Sequence, residues 1–469
     1  MRCLAAALFA FSLAGEGRSH DGHPHEQRHW EKASSDPDRI VLTWTGDPST
    51  SQAVTWRTDD TVSVGYAELA PADPAARFDL AAERYEAVTE ALDLGQYARN
   101  APKRVHFHTV EFEGLEPDAL YAYRVAGGDD RWSEWIQFRT APADPGPVEF
   151  IYFGDAQNSV LSHWSRVIRA AYQKAPNANF AIHAGDLVNR AHRDREWAEW
   201  FKAGGWIHAS LQSIVAAGNH EYDPLGEATG PGGESTRPEK LLSLQWRPQF
   251  ALPVHEELPS ALHETAYYID YRDVRVVVLD SNREIEPQAK WLDRVLADNP
   301  RSWTILTFHH PIFSSGQGRD SPDRRAAWKP VIDKYQVDLV LQGHDHTYAR
   351  GHAPARMTDG ESEGGQVASV FVNSVSGPKM YEFRENGWDV YRPEGARLRR
   401  KAENTQFFQV VRIEGRRLTY RAFMADGELY DAFKLIKGED GAKTLIGRES
   451  ELGAERRFEN TLPYDREGL

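Results

Sequence analysis

The sequence is nearly without cysteine. Its single thiol, Cys3, lies in the apolar stretch at the N-terminus, so no disulfide closes within the chain and no thiolate stands among its polar motifs. Positive charge is also in deficit. Lys and Arg number 55 against 70 Asp and Glu, a formal net charge of -15. So acidic a chain is a poor candidate for non-specific nucleic-acid binding, and no nucleic-acid-binding surface is evident. Beyond the first residues no apolar run reaches transmembrane length. No repeat of fixed period runs through the chain. What is present is length and core: 469 residues, 41% hydrophobic, with 14 Trp, enough for two domains.

The N-terminal "MRCLAAALFAFSLAGEG" has one Arg, an apolar run and small residues near Ala14. It reads as a signal peptide over residues 1–14, which places the protein outside the cytoplasm, secreted or periplasmic. A His-rich linker follows over 15–37, with His20, His23, His25 and His29. A polar linker is the preferred reading over metal capture, because no apolar residue anchors it.

From 38 to 141 the pattern is all-β, in short alternating runs such as "SQAVTWRT", "RVHFHTVEFEGL" and "ALYAYRVAG". A fibronectin type III-like sandwich is expected. The stretch near "AADPAARFDLAAERYEAVTEALDLGQYARN" is less β-like and reads as an insertion. "WSEW" reads as sandwich packing rather than a receptor motif. "APADPGP" is a linker, since its three prolines cannot sit in a packed strand. From 148 to 437 the period changes. "VEFIYFGD", "NFAIHAGD", "LQSIVAAGNHE", "VRVVVLDSN", "SWTILTFHHP" and "VDLVLQGHDH" are apolar strands. Helical patterns lie between most of them, including Trp164, Val167, Ile168 and Ala171 at helical spacing. This implies an α/β domain, with helices covering both faces of a mostly parallel sheet. A charged tail over 438–469 is expected to pack only locally.

The strands end on polar residues: Asp155, Asp186, Asn219 with His220, His309 with His310, then His344 and His346. In open α/β sheets ligands bind beyond the carboxyl ends of the strands, so these residues converge at one rim. Most follow a glycine, which lets the backbone turn sharply. Carboxylates, an amide and imidazoles suit Zn, Mn or Fe. They are too many for one tetrahedral ion and fit two ions sharing a bridging carboxylate. Each motif alone is as readily a turn or a surface feature. Their order, each at the end of a strand, is what carries the reading.

The series "GDAQ", "GDLVNR", "GNHE", "FHHP", "GHDHTYAR" resembles the calcineurin-like metallophosphoesterases, and more narrowly their purple acid phosphatase-like branch, which carries a fibronectin-like N-terminal domain. The fold this resemblance implies is a metallophosphoesterase β-sandwich flanked by helices. By the same resemblance Asp155 and His346 hold a first metal and Asp186 bridges. Asn219, His309 and His344 hold a second. His220 or His310 passes a proton to the leaving oxygen. Tyr348, Arg350 and Arg190 are candidates to touch substrate, as is Arg319. Two positions depart from the branch. Asn189 stands where it has a tyrosinate, and Gln157 stands where many relatives have histidine and the purple enzymes glycine. One of the two touches the first metal or its water, or only hydrogen-bonds there. Asp280 matches no family ligand and reads as structural.

The implied activity is hydrolysis of a small phosphate ester, foremost a monoester, by in-line attack of a metal-bound hydroxide. The implied cofactors are two divalent or mixed-valence ions (Fe, Zn or Mn). A phosphodiesterase acting on nucleotides or phospholipid headgroups is the alternative. A non-catalytic adhesion protein built on the sandwich is a distant one.

Overall fold

The computed structural model describes residues 28–95, 103–128, 130–225, 239–354 and 366–463. The signal-peptide expectation, His20, His23 and His25 lie outside them. Among the described residues no helix is long and apolar enough to cross a membrane.

The N-terminal domain is a sandwich of two four-stranded sheets. One sheet orders Asp38–Thr43, Gln52–Asp59, Arg104–Phe112 and Val88–Asp93, the other Glu83–Glu86, Gly65–Pro71, Leu120–Gly127 and Ile136–Arg139. Val54, Trp56, Leu69, Phe112, Tyr123 and Phe138 fill the space between them. The stretch read as an insertion is instead part of the sandwich. Its two halves, Glu83–Glu86 and Val88–Asp93, are one edge strand of each sheet. Each turns only one side chain, Tyr85 or Leu92, onto a hydrophobic cluster, so the alternation that marks a strand is faint, while the charges guard the open edge. The "WSEW" tryptophans do pack on the sandwich, at its surface: the Arg124 guanidinium lies 4.4 Å from the Trp132 ring and 4.7 Å from that of Trp135.

Successive residues of a strand point to opposite faces, and this joins the domains. Leu42 enters the sandwich core, while Val41 enters the core of the second domain. Asp194 is buried in the second domain and binds Arg39 at 2.8 Å and Arg57 at 3.1 Å, both from the sandwich.

The second domain is one continuous strand path folded into two facing layers. The first layer runs Gln212–Val215, Phe180–His183, Val148–Phe153, Phe407–Glu414, Arg417–Met424 and Leu429–Lys437. The second runs Gln366–Asn373, Leu339–Gln342, Trp303–Thr307, Val274–Val278 and Tyr267–Tyr271. Phe150, Tyr152 and Val411 from one layer share a core with Val276, Ile305, Leu341 and Val372 from the other. The alternate residues Val277, Leu306 and Val340 face outward, onto Trp291, Leu292, Trp328 and Ile332 of helices Ile285–Ala297 and Pro322–Tyr335. So each sheet has helices on its outer face and a sheet on its inner one, which replaces the single sheet with helices on both faces.

The charged C-terminal segment is not a loosely packed tail. Lys443–Gly447 pairs with both Leu429–Lys437 and Gln366–Asn373 and joins the two layers. Lys443 is buried and its ammonium meets Asp338 at 3.1 Å. At Lys443 the charge marks buried pairing rather than solvation.

Candidate metal centre

Strands of both layers end at one rim. Asp155 follows Val148–Phe153, Asp186 follows Phe180–His183, and Asn219 follows Gln212–Val215. From the other layer, His309 follows Trp303–Thr307, and His344 and His346 follow Leu339–Gln342. Two of the preceding glycines are required by close approach rather than by a turn. A Cβ on Gly218 would lie 2.2 Å from Asp186 Oδ1, and one on Gly343 would lie 2.3 Å from Asp155 Oδ1. Asp186, His344 and His346 adopt left-handed backbone, with φ of 52°, 75° and 49°. Such strain in non-glycine residues persists only where the surroundings over-determine it.

The side chains form two groups. Asp186, His309 and His344 bring ligand atoms within 4.8 Å of one another, and so do Asp155, Asp186 and His346. Asp186 belongs to both. His309 Nε2 lies 3.2 Å from Asp186 Oδ2 and 3.2 Å from Asn219 Oδ1, which adds the amide to the first of these groups. His346 Nε2 lies 3.1 Å from Asp155 Oδ2.

The ring orientations are set from behind. His309 Nδ1 donates to the Ala184 carbonyl at 3.0 Å and His346 Nδ1 to the Lys379 carbonyl at 2.7 Å. Each bond spends the ring proton and turns the Nε2 lone pair inward. Burial lowers the His309 pKa, but the carboxylates of Asp186 and Asp155 outweigh it and lift it to about 9. His344 goes the other way: burial and its His310 and His309 neighbours hold it well below the usual range. His309 Nε2 and His344 Nδ1 are 3.1 Å apart. Converging lone pairs and carboxylates that capture a proton are the donor set of a cation site, and the residues fit a metal pair.

His220 and His310 border the groups. The His220 amide donates to Asp186 Oδ1 at 2.9 Å and its Nδ1 to the Asn189 carbonyl at 2.7 Å, leaving Nε2 free. Ser281 Oγ accepts the His310 amide at 3.0 Å and lies 2.8 Å from His310 Nδ1, which fixes the ring's orientation. Gln157 is buried, and its oxygen takes the Lys379 ammonium at 3.0 Å. Asn189 is half-buried beside His220.

Three expected substrate contacts are not brought to the groups. Tyr348 and Arg350 are fully buried, the phenol donating to Asp431 Oδ2 at 2.7 Å and the guanidinium bonding both Asp431 oxygens at 2.9 and 2.8 Å. They hold strand Leu429–Lys437 and have no face toward a ligand. Arg190 is exposed and its guanidinium lies 3.9 Å from the Asp223 carboxylate. Arg319 does arrive, with Nη2 2.6 Å from His344 Nε2.

Sequence reasoning left several residues without a role. Glu221, the last residue of "GNHE", is buried and accepts backbone N–H bonds from Asp186, Leu187, Val188 and Gly218 at 2.7–3.3 Å. It therefore holds the loop that carries Asp186. Asp345, between the two histidines of "HDH", accepts the amides of Ser315 and Gly316 at 2.5 and 3.0 Å. Its other oxygen is 3.3 Å from Arg319 Nε. Both carboxylates sit inside quoted motifs, so their positions were the available signal. Asp280, read as structural, accepts from the Asn282 amide and from the Tyr222 hydroxyl, which reaches it from the chain just past Asn219. Beside Asn219 opens a cavity of about 420 Å3, lined by Tyr222, Lys240, Asn282 and Arg283 among others.

Residues 37–140 match the family described as purple acid phosphatase, N-terminal domain, and residues 149–348 match calcineurin-like phosphoesterase. The chain belongs to the purple acid phosphatase-like metallophosphoesterases. It is 29% identical over 343 residues to an uncharacterized protein of Mycobacterium tuberculosis, covering 65% of this chain and 60% of that one. It is 26% identical over 260 residues to purple acid phosphatase 1 of Ipomoea batatas, covering 52% and 51%. The match thus spans half to three fifths of these relatives' lengths. The fold is similar to that of a purple acid phosphatase from yellow lupin seeds, with a TM-score of 0.68 and 18% identity, over 87% of this chain and 75% of that one.

Proposed function

We propose that the protein is a dinuclear-metal phosphoric ester hydrolase acting foremost on phosphomonoesters. The observation that carries this is Asp186, whose carboxylate is shared by two groups of ligand atoms. Asp155, Asp186 and His346 would hold one ion, and Asp186, Asn219, His309 and His344 the other. The mixed oxygen and nitrogen donors suit divalent Fe, Zn or Mn. A bound pair supplies an acidified water as nucleophile and neutralises charge on the phosphoryl oxygens.

The chain's own residues do the rest. Glu221 and the carbonyls behind His309 and His346 hold the ligands in place, so no reorganisation is needed as charge develops. His310 is kept neutral by burial and its His309 neighbour, and Ser281 fixes its ring's orientation. His220, in its doubly protonated form, carries a proton on the free Nε2 and hands it to the departing oxygen. The cavity beside Asn219 receives the leaving group. The test is a panel of mono- and diesters assayed from pH 4 to 10 with the metal-loaded protein and its chelated form. Metal-dependent turnover that favours monoesters supports the proposal. Turnover that favours diesters would give the site to the phosphodiesterase reading, and turnover that survives chelation would remove the metals from it.

A further inference from the structure

The segment after strand Gln366–Asn373 is tied at four points to the ligand group that holds Asp155 and His346. Ser376 and Gly377 donate their amides to the Asp155 carbonyl at 2.9 and 2.6 Å. The Lys379 carbonyl accepts His346 Nδ1–H at 2.7 Å, and the Tyr381 amide donates to the His346 carbonyl at 3.3 Å. Lys379 is therefore placed by the same backbone that places Asp155 and His346. Its ammonium is held at 3.0 Å by the oxygen of buried Gln157. That bond uses one of three N–H donors.

Tyr381 gathers a second cation. Its ring lies 4.6 Å from the His346 ring, 5.5 Å from Lys379 Nζ and 4.8 Å from the Arg319 guanidinium. Arg319 reaches His344, while the Lys379 ammonium is held at Gln157, two residues on from Asp155. One cation thus stands by each ligand group. Two divalent ions outweigh the charge of Asp155 and Asp186, and with Arg319 offset by Asp345 at 3.3 Å the Lys379 ammonium still adds to a positive surplus. Only an anion of high charge offsets it. A phosphomonoester is a dianion at neutral pH, and a diester carries one charge and a second bulky substituent.

We propose that Lys379, fixed by Gln157, binds a terminal oxygen of the substrate phosphoryl group opposite Arg319, and that this pair of cations makes the site selective for monoester dianions. The assignment rests on the phosphohydrolase reading above and names the residues behind its monoester preference. Gln157 then acts as the anchor of a substrate-binding cation rather than as a metal ligand.

The test uses the manganese-loaded full chain, with orthophosphate as the probe in calorimetry and metal content measured on the same samples. A charge-assisted hydrogen bond in such a site is worth roughly ten- to a hundredfold in affinity. Lys379→Ala is expected to weaken phosphate binding by that factor with metal content unchanged, and Lys379→Arg to restore part of it. Turnover of nitrophenyl phosphate should fall by a similar factor and that of bis(nitrophenyl) phosphate much less. Unchanged phosphate affinity in Lys379→Ala, or loss of metal from it, overturns the assignment. Wild-type protein that holds its metals but neither binds phosphate nor hydrolyses either ester overturns the phosphohydrolase reading itself, so the two failures are distinct.

Discussion

Acid should unfold this protein through two histidines behind the metal centre. His183 and His208 are buried in an aromatic box, His208 stacked on Trp200 at 3.9 Å and His183 on Phe153 at 5.3 Å. Among the described residues neither nitrogen of His183 has a hydrogen-bond partner, and His208 Nε2 has none. Burial drives both below the ordinary range, His208 to about 3 and His183 well below it, the latter also through His208. The unfolded chain titrates near the ordinary value and the folded chain does not. Below about pH 6.5 the unfolded state therefore binds more protons, and stability falls as pH falls. From about pH 6.5 to about pH 5, at roughly 1.4 kcal/mol per unit for each ring, the loss is about 2 kcal/mol per histidine and about 4 for the pair. That is a large share of an ordinary folding free energy of roughly 5–15 kcal/mol. His309 has the opposite sign in the metal-free chain. Raised to about 9, its contribution is fully present below pH 6.5 and adds no slope there. The assay is urea unfolding of wild type and the double variant His183→Leu/His208→Leu at pH 8, 6.5 and 5. Leucine is near in volume and cannot titrate, so any change in packing shifts both ends of the profile equally. The stability difference between pH 8 and pH 5 should shrink by about 4 kcal/mol in the variant. Parallel profiles for the two proteins would refute the reasoning.

Three further outcomes are expected. Asp194→Ala leaves the guanidiniums of Arg39 and Arg57 buried without their shared partner, at a cost of roughly 3–5 kcal/mol. Urea unfolding checks this, and a loss under about 1 kcal/mol would mean the domain interface does not depend on that pairing. His220→Ala should slow alkyl phosphates far more than nitrophenyl phosphate with metal content unchanged, because a proton donor matters most for a poor leaving group; equal losses in steady-state assays would point to positioning instead. The iron-loaded protein should show no intense band in its visible spectrum, since Asn189 offers no phenolate for charge transfer to ferric iron. Asn189→Tyr should introduce such a band, and an intensely purple wild type would contradict the alignment at that block.

The candidate ligands were legible because each ends an apolar strand, and the rule that ligands bind at carboxyl ends needs no knowledge of which strands are neighbours. What could not be read was pairing across distance. Tyr348 and Arg350 continue the "GHDHTYAR" block and share its polar character, yet they enter strand Tyr348–Pro354 and spend their charge on Asp431, more than eighty residues on. Lys379 sits in no motif, and its partner Gln157 is 222 positions away. The edge strands of the sandwich were hidden for a local reason: "ERYE" and "VTEALD" turn only Tyr85 and Leu92 onto the clusters, too few apolar residues to show an alternation. The charged segment from Gly438 onward misled because Lys443 is buried against Asp338, a pairing that composition cannot show.

The account turns on one carboxylate serving two metal sites. The direct measurement is metal content per chain, by elemental analysis of the manganese-loaded protein after gel filtration, for wild type and Asp186→Ala with circular dichroism confirming the fold. Two ions per chain in wild type and loss of both in the variant are the predicted result. A folded Asp186→Ala protein that retains two ions and normal turnover would contradict it.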